Sequence, residues 1–184
     1  MIRELEERIG DERSMERLTA CRELAKKLPE YQADETGGLK EWSLPQMRDN
    51  HEHRHISHLY CAWPGVETQH DVRLVESCRQ AIRNRNTGNV GKDDTASHGW
   101  LHKGLVAARL KDGEGLGEIL RLLVHSDIFY SSLLTDHNTD RCRGVYCTDT
   151  ILGLQGIIQE ALVYSERGWI EFLPALPEEW KQGS

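Results

Sequence analysis

The 184-residue chain predicts an all-α fold. Three observations carry that expectation. Apolar residues recur at helical spacing over residues 14–28, 71–85, 99–110, 114–125 and 150–164. Between these stretches lie long polar segments rich in Trp and His rather than Ser and Gly, and ordered loops of that kind are usually functional. Only Trp169-Ile170-Glu171-Phe172-Leu173 reads as a short strand.

Each element has its own justification. Met15, Leu18, Leu24, Ala25 and Leu28 share one face over 14–28, behind Ser14 as a cap, and Pro29 ends the helix. The mixed-sign start, Arg3 to Arg17, reads as a solvated helix without assigned function. Residues 30–70 contain Gly37-Gly38, Pro45 and Pro64-Gly65 with no sustained period, and so form a loop. Val72, Val75, Cys78, Arg79 and Ile82 stripe the helix expected over 71–85. Residues 86–98 are polar and connect to a helix over 99–110 carrying Leu101, Leu105, Ala108 and Leu110. Lys111-Asp112-Gly113 breaks it. Leu116, Ile119, Leu120 and Leu123 then mark a helix over 114–125, followed by a second long loop over 126–148. Residues 150–164 are apolar on nearly every face, and such a helix is expected inside a structure. Pro174 and Pro177 close the strand-like run.

Composition narrows the function. A 38% hydrophobic and 29% charged chain of this length fits a soluble globular domain. No apolar run is long enough to span a bilayer, and no basic segment leads into an apolar one as in a signal peptide. The net charge of −7 disfavours a phosphate-binding surface, whereas neutral sugars remain compatible with it. No nucleic-acid partner and no membrane are therefore expected, and a carbohydrate partner stays open. Cys21, Cys61, Cys78, Cys142 and Cys147 are odd in number and lack a CxxC pair, which reads as mostly free thiols. Cys142 and Cys147 could close a small loop, although nothing in the sequence demands it.

The densest chemistry is His53-Arg54-His55-Ile56-Ser57-His58-Leu59-Tyr60, preceded by Glu41-Trp42-Ser43. Imidazoles at 53, 55 and 58 can hydrogen-bond sugar hydroxyls, and Arg54 can anchor a carboxylate or a hydroxyl pair. They could equally be structural histidines that satisfy a loop backbone. As an HxHxxH set they also offer ligands for zinc, but no companion Cys or carboxylate spacing supports a metal, and none is expected. Trp42 and Trp100 are flat apolar faces suited to the C–H side of a pyranose, or else loop and core anchors. Glu41 is a sugar ligand or a carboxylate bonded to backbone. His98 stands beside Trp100 with the same two readings. His137 beside Asp136 is an oriented acid–base pair or a loop hydrogen bond. Asp149 is an N-cap or a functional carboxylate at the start of the apolar helix.

These motifs together resemble glycoside hydrolase family 95. Leu39-Lys40-Glu41-Trp42-Ser43, His53 to Tyr60 and Trp63-Pro64-Gly65 carry the resemblance first. Lys27-Leu28-Pro29-Glu30-Tyr31-Gln32 is similar to the family's lead into the Glu-Trp motif. Gly99-Trp100 and Ala107-Ala108-Arg109-Leu110-Lys111-Asp112-Gly113 are similar to its glycine-tryptophan helix and the end of that helix. Leu133-Leu134-Thr135-Asp136-His137 matches the segment usually written NLFDTH, and Tyr146-Cys147-Thr148-Asp149 falls where the family has FQID. Ile170 to Trp180 resembles the crossover to a C-terminal β-domain.

The resemblance implies that residues 1–168 are the C-terminal portion of an (α/α)6 barrel, a partial barrel with long active-site loops, and that 169–184 start the crossover to a C-terminal β-domain. It also implies inverting hydrolysis of α-L-fucosides or the similar α-L-galactosides, with no cofactor. Asp149 inherits the aspartate that polarises an asparagine-bound water. Glu41, Trp42, His53, Arg54, His55, His58, His98, Trp100 and His137 would line the sugar site. Two departures stand out: Thr150-Ile151-Leu152-Gly153 keeps only the last glycine of the family's Gly-Asn-Phe-Gly, and the loop 136–148 is long, with Arg141, Cys142 and Arg143. The family's general-acid glutamate and paired asparagines lie upstream of this stretch. The missing half of the barrel and the β-domain are therefore expected partners, and the isolated chain is expected to be inactive. The alternative is a non-catalytic carbohydrate-binding or remnant helical module.

Overall fold

The computed structural model of the chain describes residues 12–93, 96–137 and 144–182. Two compact units divide it, Met1–Gln32 and Ala33–Ser184.

In the first unit, α1 spans Glu12–Ala25. Ser14 lies inside this helix, so it is not the cap. Amides of Lys26 and Lys27 return to the carbonyls of Arg22 and Leu24 at 3.1 and 2.9 Å, tightening the chain before Pro29. Of the expected apolar stripe only Leu18 is buried, while Met15, Leu24 and Leu28 remain exposed.

The second unit holds α2 (Val72–Gly88), α3 (Ser97–Arg109), α4 (Gly113–His125) and α5 (Thr148–Leu162). It ends in a hairpin of β1 (Val163–Glu166) and β2 (Trp169–Phe172). Most of the regular structure among the described residues is thus helical. Asp71 caps α2 by accepting from the amides of Arg73 and Leu74, and Asp112 caps α4 by accepting from Gly115. Short 3₁₀ turns at Ser57–Cys61 and Glu67–Gln69 punctuate the long first loop.

Two helices differ from expectation in where they end and in what they bury. The second helix runs to Gly88 rather than 85, and its buried stripe is Leu74, Cys78, Ala81 and Arg85, with Val72 exposed. A long polar residue occupies the inward position, so apolar periodicity alone misplaces the face. The last helix stops at Leu162; Val163 and Tyr164 start β1, because β2 offers Val163 and its neighbours a ladder partner, in the register Val163↔Phe172 to Glu166↔Trp169. That helix is also less enclosed than its composition suggests. Thr150, Ile157 and Ala161 are buried, but Leu152 is 75% exposed and Ile158 is open.

Helix α3 is the centre of the unit, buried along almost its whole length. Leu101, Leu105 and Ala108 join Leu116, Leu120 and Leu123 of α4 and Ile157 and Ala161 of α5 in one core. Val106 and Leu110 join a second core with Leu39, Ile56, Leu59, Cys61, Leu74, Cys78 and Ala81. Small residues let α3 and α5 approach. A Cβ on Gly104 would stand 2.7 Å from Ile157 Cδ1, and one on Gly153 would overlap the Leu101 side chain. The glycine of the departing Thr-Ile-Leu-Gly segment is therefore needed for packing.

Cys21, Cys61, Cys78 and Cys147 carry free thiols. Cys142 lies outside the described residues, as do Arg141 and Arg143. No helix among the described residues is long and apolar enough to cross a membrane.

Candidate active site

A buried polar lattice joins three chain segments at the N-termini of α3 and α5. Ser97 Oγ donates to Asp136 O at 2.8 Å, and Ser97 N donates to His137 O at 2.8 Å. Thr150 Oγ1 donates to Ser97 Oγ at 2.7 Å, and Thr135 Oγ1 donates to Cys147 O at 2.6 Å. Ser97, Thr135 and Thr150 are fully buried, so each hydroxyl must be paired, and each is. This lattice sets His98 beside His137 and fixes the first turn of α5, where Asp149 stands.

Asp136 anchors the second loop. Its carboxylate accepts from Tyr130 Oη at 2.7 Å and from the amides of His137, Gly144 and Val145 at 3.2, 2.9 and 3.0 Å. Donation from Gly144 and Tyr130 holds its pKa below the usual carboxylate value. Its partner within the motif is the His137 backbone, not the imidazole; Asp136 and His137 thus make a loop hydrogen bond.

Above this floor the imidazoles meet. His53 and His55 stand 4.8 Å apart by ring centroid, His55 and His98 5.0 Å, and His98 and His137 4.5 Å. His102, one turn along α3 from His98, is 6.1 Å from it. Asp93 organises one side. Its carboxylate accepts from His53 Nδ1 at 2.9 Å, from Arg54 N at 3.1 Å and from the Arg54 guanidinium at 3.0 Å. Arg54 in turn donates from Nε to His98 Nε2 at 3.3 Å, which places the remaining His98 proton on Nδ1. Partial burial opposes ionisation of Asp93, but the Arg54 and His53 bonds outweigh it and its pKa is lowered.

Burial, then the neighbouring His137, His55 and Arg54, push His98 down to about 4. His55 is lowered by burial and by Arg54, and His102 by burial against an opposing pull from Asp149. Near neutral pH these three rings are uncharged, each with one donor and one acceptor.

A slot of about 270 Å³ opens beside them, lined by His55, His102, Tyr60, Trp63, Pro64 and Val106. Asp149 is exposed in the first turn of α5. The N-cap position belongs to Cys147, without a side-chain cap bond, so Asp149 is not the cap. Among the described residues no group of three or more His, Cys, Asp and Glu is placed to hold a metal ion.

Glu41 and His58 belong to a different cluster. Arg85, 1% exposed, projects from α2 into the first loop and donates to Glu41 Oε1, Asn50 O and His53 O, the last at 2.9 Å. Glu41 Oε2 accepts from Asn50 N at 2.7 Å. Burial opposes ionisation of Glu41, yet the Asn50 and Arg85 bonds lower its pKa. His58 is pushed down to about 4 by burial and by the Arg85 charge. Trp100 lies in the α3–α4–α5 core, 8% exposed. Trp42 is 45% exposed, and no ring contact joins it to the imidazoles among the described residues.

The structure therefore gathers His53, Arg54, His55, His98 and His137, and turns Glu41, His58 and Trp100 inward. Sequence reasoning missed Asp93, His102 and Arg85. His102 was detectable, since His98 and His102 share a helix face at i, i+4. Arg85 extends the α2 stripe at helical spacing. Asp93 carries no local signal; its partners lie some forty residues away in the chain.

Residues 2–162 match the family model described as the glycosyl hydrolase family 95 catalytic domain. "Alpha-L-fucosidase 2" of Arabidopsis thaliana is 26% identical over 175 residues, covering 85% of this chain and 19% of the relative. "Probable alpha-fucosidase A" of Aspergillus oryzae is 28% identical over 165 residues, covering 80% of this chain and 23% of the relative. The chain thus spans about a fifth of the length of these curated relatives.

Proposed function

The chain belongs to glycosyl hydrolase family 95, and from that premise we propose that it supplies one wall of an α-L-fucoside-hydrolysing cleft within an (α/α)6 barrel. Residues 1–168 belong to the barrel in this reading, and 169–184 lead towards a β-domain. The observation that carries it is the convergence of Arg54 and the imidazoles of His53, His55, His98 and His137, from which His55, together with His102, reaches a slot with an aromatic and proline wall. A pyranose presents hydroxyls at its rim and C–H groups on its face. The uncharged imidazoles of His55, His98 and His102 match a hydroxyl that both gives and accepts, and Trp63 and Tyr60 suit the apolar side. A 6-deoxy sugar such as L-fucose adds a methyl group to that side.

Asp149 is the catalytic carboxylate in this reading. It polarises an attacking water, while an acid on the far side of the glycosidic bond, roughly 6.5–9.5 Å away, protonates the leaving oxygen. That acid and the water-holding asparagines are the groups the resemblance assigns to sequence preceding this stretch. Asp93 holds Arg54 and His53 in place, and Glu41, His58 and Trp100 support the wall from behind.

The test compares D149N with D136N in the polypeptide that carries this stretch, using an aryl α-L-fucoside. D149N is expected to lower kcat by about 10²–10⁴-fold with little change in folding, since it removes a group acting on the transferred proton. D136N is expected to lower stability first. Undiminished turnover by D149N would overturn the assignment.

A further inference from the structure

Cys61 closes the 3₁₀ segment Ser57–Cys61, and Cys78 lies on the buried stripe of α2, 17 positions further along the chain. Both are fully buried, and their sulfurs are 3.6 Å apart. Leu39, Leu59, Leu74 and Ala81 belong to the same core. Cys147 instead sits 3.2 Å from the Thr150 hydroxyl, and Cys21 is exposed. The two sulfurs are about 1.5 Å beyond bonding distance, a gap on the scale of side-chain rotation.

We propose that Cys61 and Cys78 form a peroxide-oxidisable pair that closes into an internal disulfide, stapling the slot-lining segment 56–64 to α2. The chemistry balances with a hydroperoxide as oxidant. The Cys61 thiolate attacks one peroxide oxygen; an S–O bond forms, the O–O bond breaks, and the leaving hydroxide takes up a proton as water. Cys61 is now a sulfenic acid. Cys78 sulfur attacks it; the S–S bond forms, the S–O bond breaks, and the departing hydroxide takes the Cys78 proton. Two thiols and one hydrogen peroxide give one disulfide and two waters. The thiol contact favours this order: the bond from Cys78 lowers the Cys61 pKa, while that bond and burial push Cys78 up. Hydrogen peroxide is small enough to enter on local opening of the loop.

The experiment starts from the unaltered chain. The folded 184-residue chain, with far-UV circular dichroism confirming its helices, is treated with hydrogen peroxide, then unfolded in alkylating reagent and peptide-mapped. The expected product is lighter by two hydrogen atoms and yields one linked peptide pair, containing Cys61 and Cys78. Its melting midpoint is expected to rise by about 5–10 °C, and dithiothreitol to reverse the change. C78A is expected to lose the link and leave Cys61 trappable as a sulfenic acid. Recovery of both thiols alkylated after peroxide treatment, or a link from either one to Cys21, Cys142 or Cys147, would overturn the proposal.

Discussion

Two polar clusters grow from the same stretch of chain and end in opposite circumstances. Around Arg85 the charges are enclosed: the guanidinium is 1% exposed, Glu41 and two carbonyls surround it, and His58 stands behind. Around Arg54 the groups stay half-open: its guanidinium is 30% exposed, Asp93 34%, and the rings of His53, His55, His98 and His137 face one another beside a slot. Apart from Arg85 Nε, which is buried without a partner among the described residues and out of a ligand's reach, the first cluster uses its hydrogen bonds up internally. The second retains donors and acceptors that a ligand can claim. Density of polar residues in a sequence therefore does not separate a strut from a site; the unspent hydrogen-bonding capacity of each group does.

Breaking the enclosed cluster should have the largest effect on stability. R85M leaves the Glu41 carboxylate with one backbone donor and frees two carbonyls, and should cost about 3–5 kcal/mol. Thermal unfolding would register it. The double replacement R85M/E41L should recover more than half of that loss, because no buried charge is then left alone. A double variant as unstable as R85M would show that the cluster is not the self-contained unit described.

Acid should weaken both clusters, the enclosed one more. His58 and His98 both lie at about 4 in the folded chain against an ordinary 6.5. As pH falls below about 6.5 the unfolded chain takes up these protons while the folded chain does not, so stability declines until the pH reaches about 4. The loss is on the order of 2 kcal/mol for His58 and about 1 kcal/mol for the more solvent-screened His98. Denaturant titrations at several pH values should show that slope, and H58N should flatten it more than H98N.

At the open cluster, D93N should cost only about 1 kcal/mol of stability, since the Arg54 and His53 pairs are partly in water. Its larger consequence should be looser placement of Arg54 and His53, seen as weaker shifts of the histidine ring protons when L-fucose is titrated in. D149N should have the smallest stability effect, within about 0.5 kcal/mol, because the side chain is exposed and caps nothing. A large destabilisation by D149N would return Asp149 to a structural role.

The sequence by itself determined the helical character of the chain, the approximate helix positions and the segments that carry polar chemistry. Helical period and Gly/Pro punctuation are local signals, and α3 and α4 fall within two residues of expectation for that reason. The family was also legible in the order of its motifs. Tertiary structure alone decided which polar residues point inward. Glu41 is a strut because Arg85, 44 positions away, reaches it; Arg54 is poised because Asp93, 39 positions away, does the same for it. Neither pairing leaves a periodic trace, since it depends on how the first loop lies against α2 and the start of α3. The helix ending at Leu162 followed the same logic: Val163 and Tyr164 suit a helix or a strand by composition, and the antiparallel partner across the turn settled the choice.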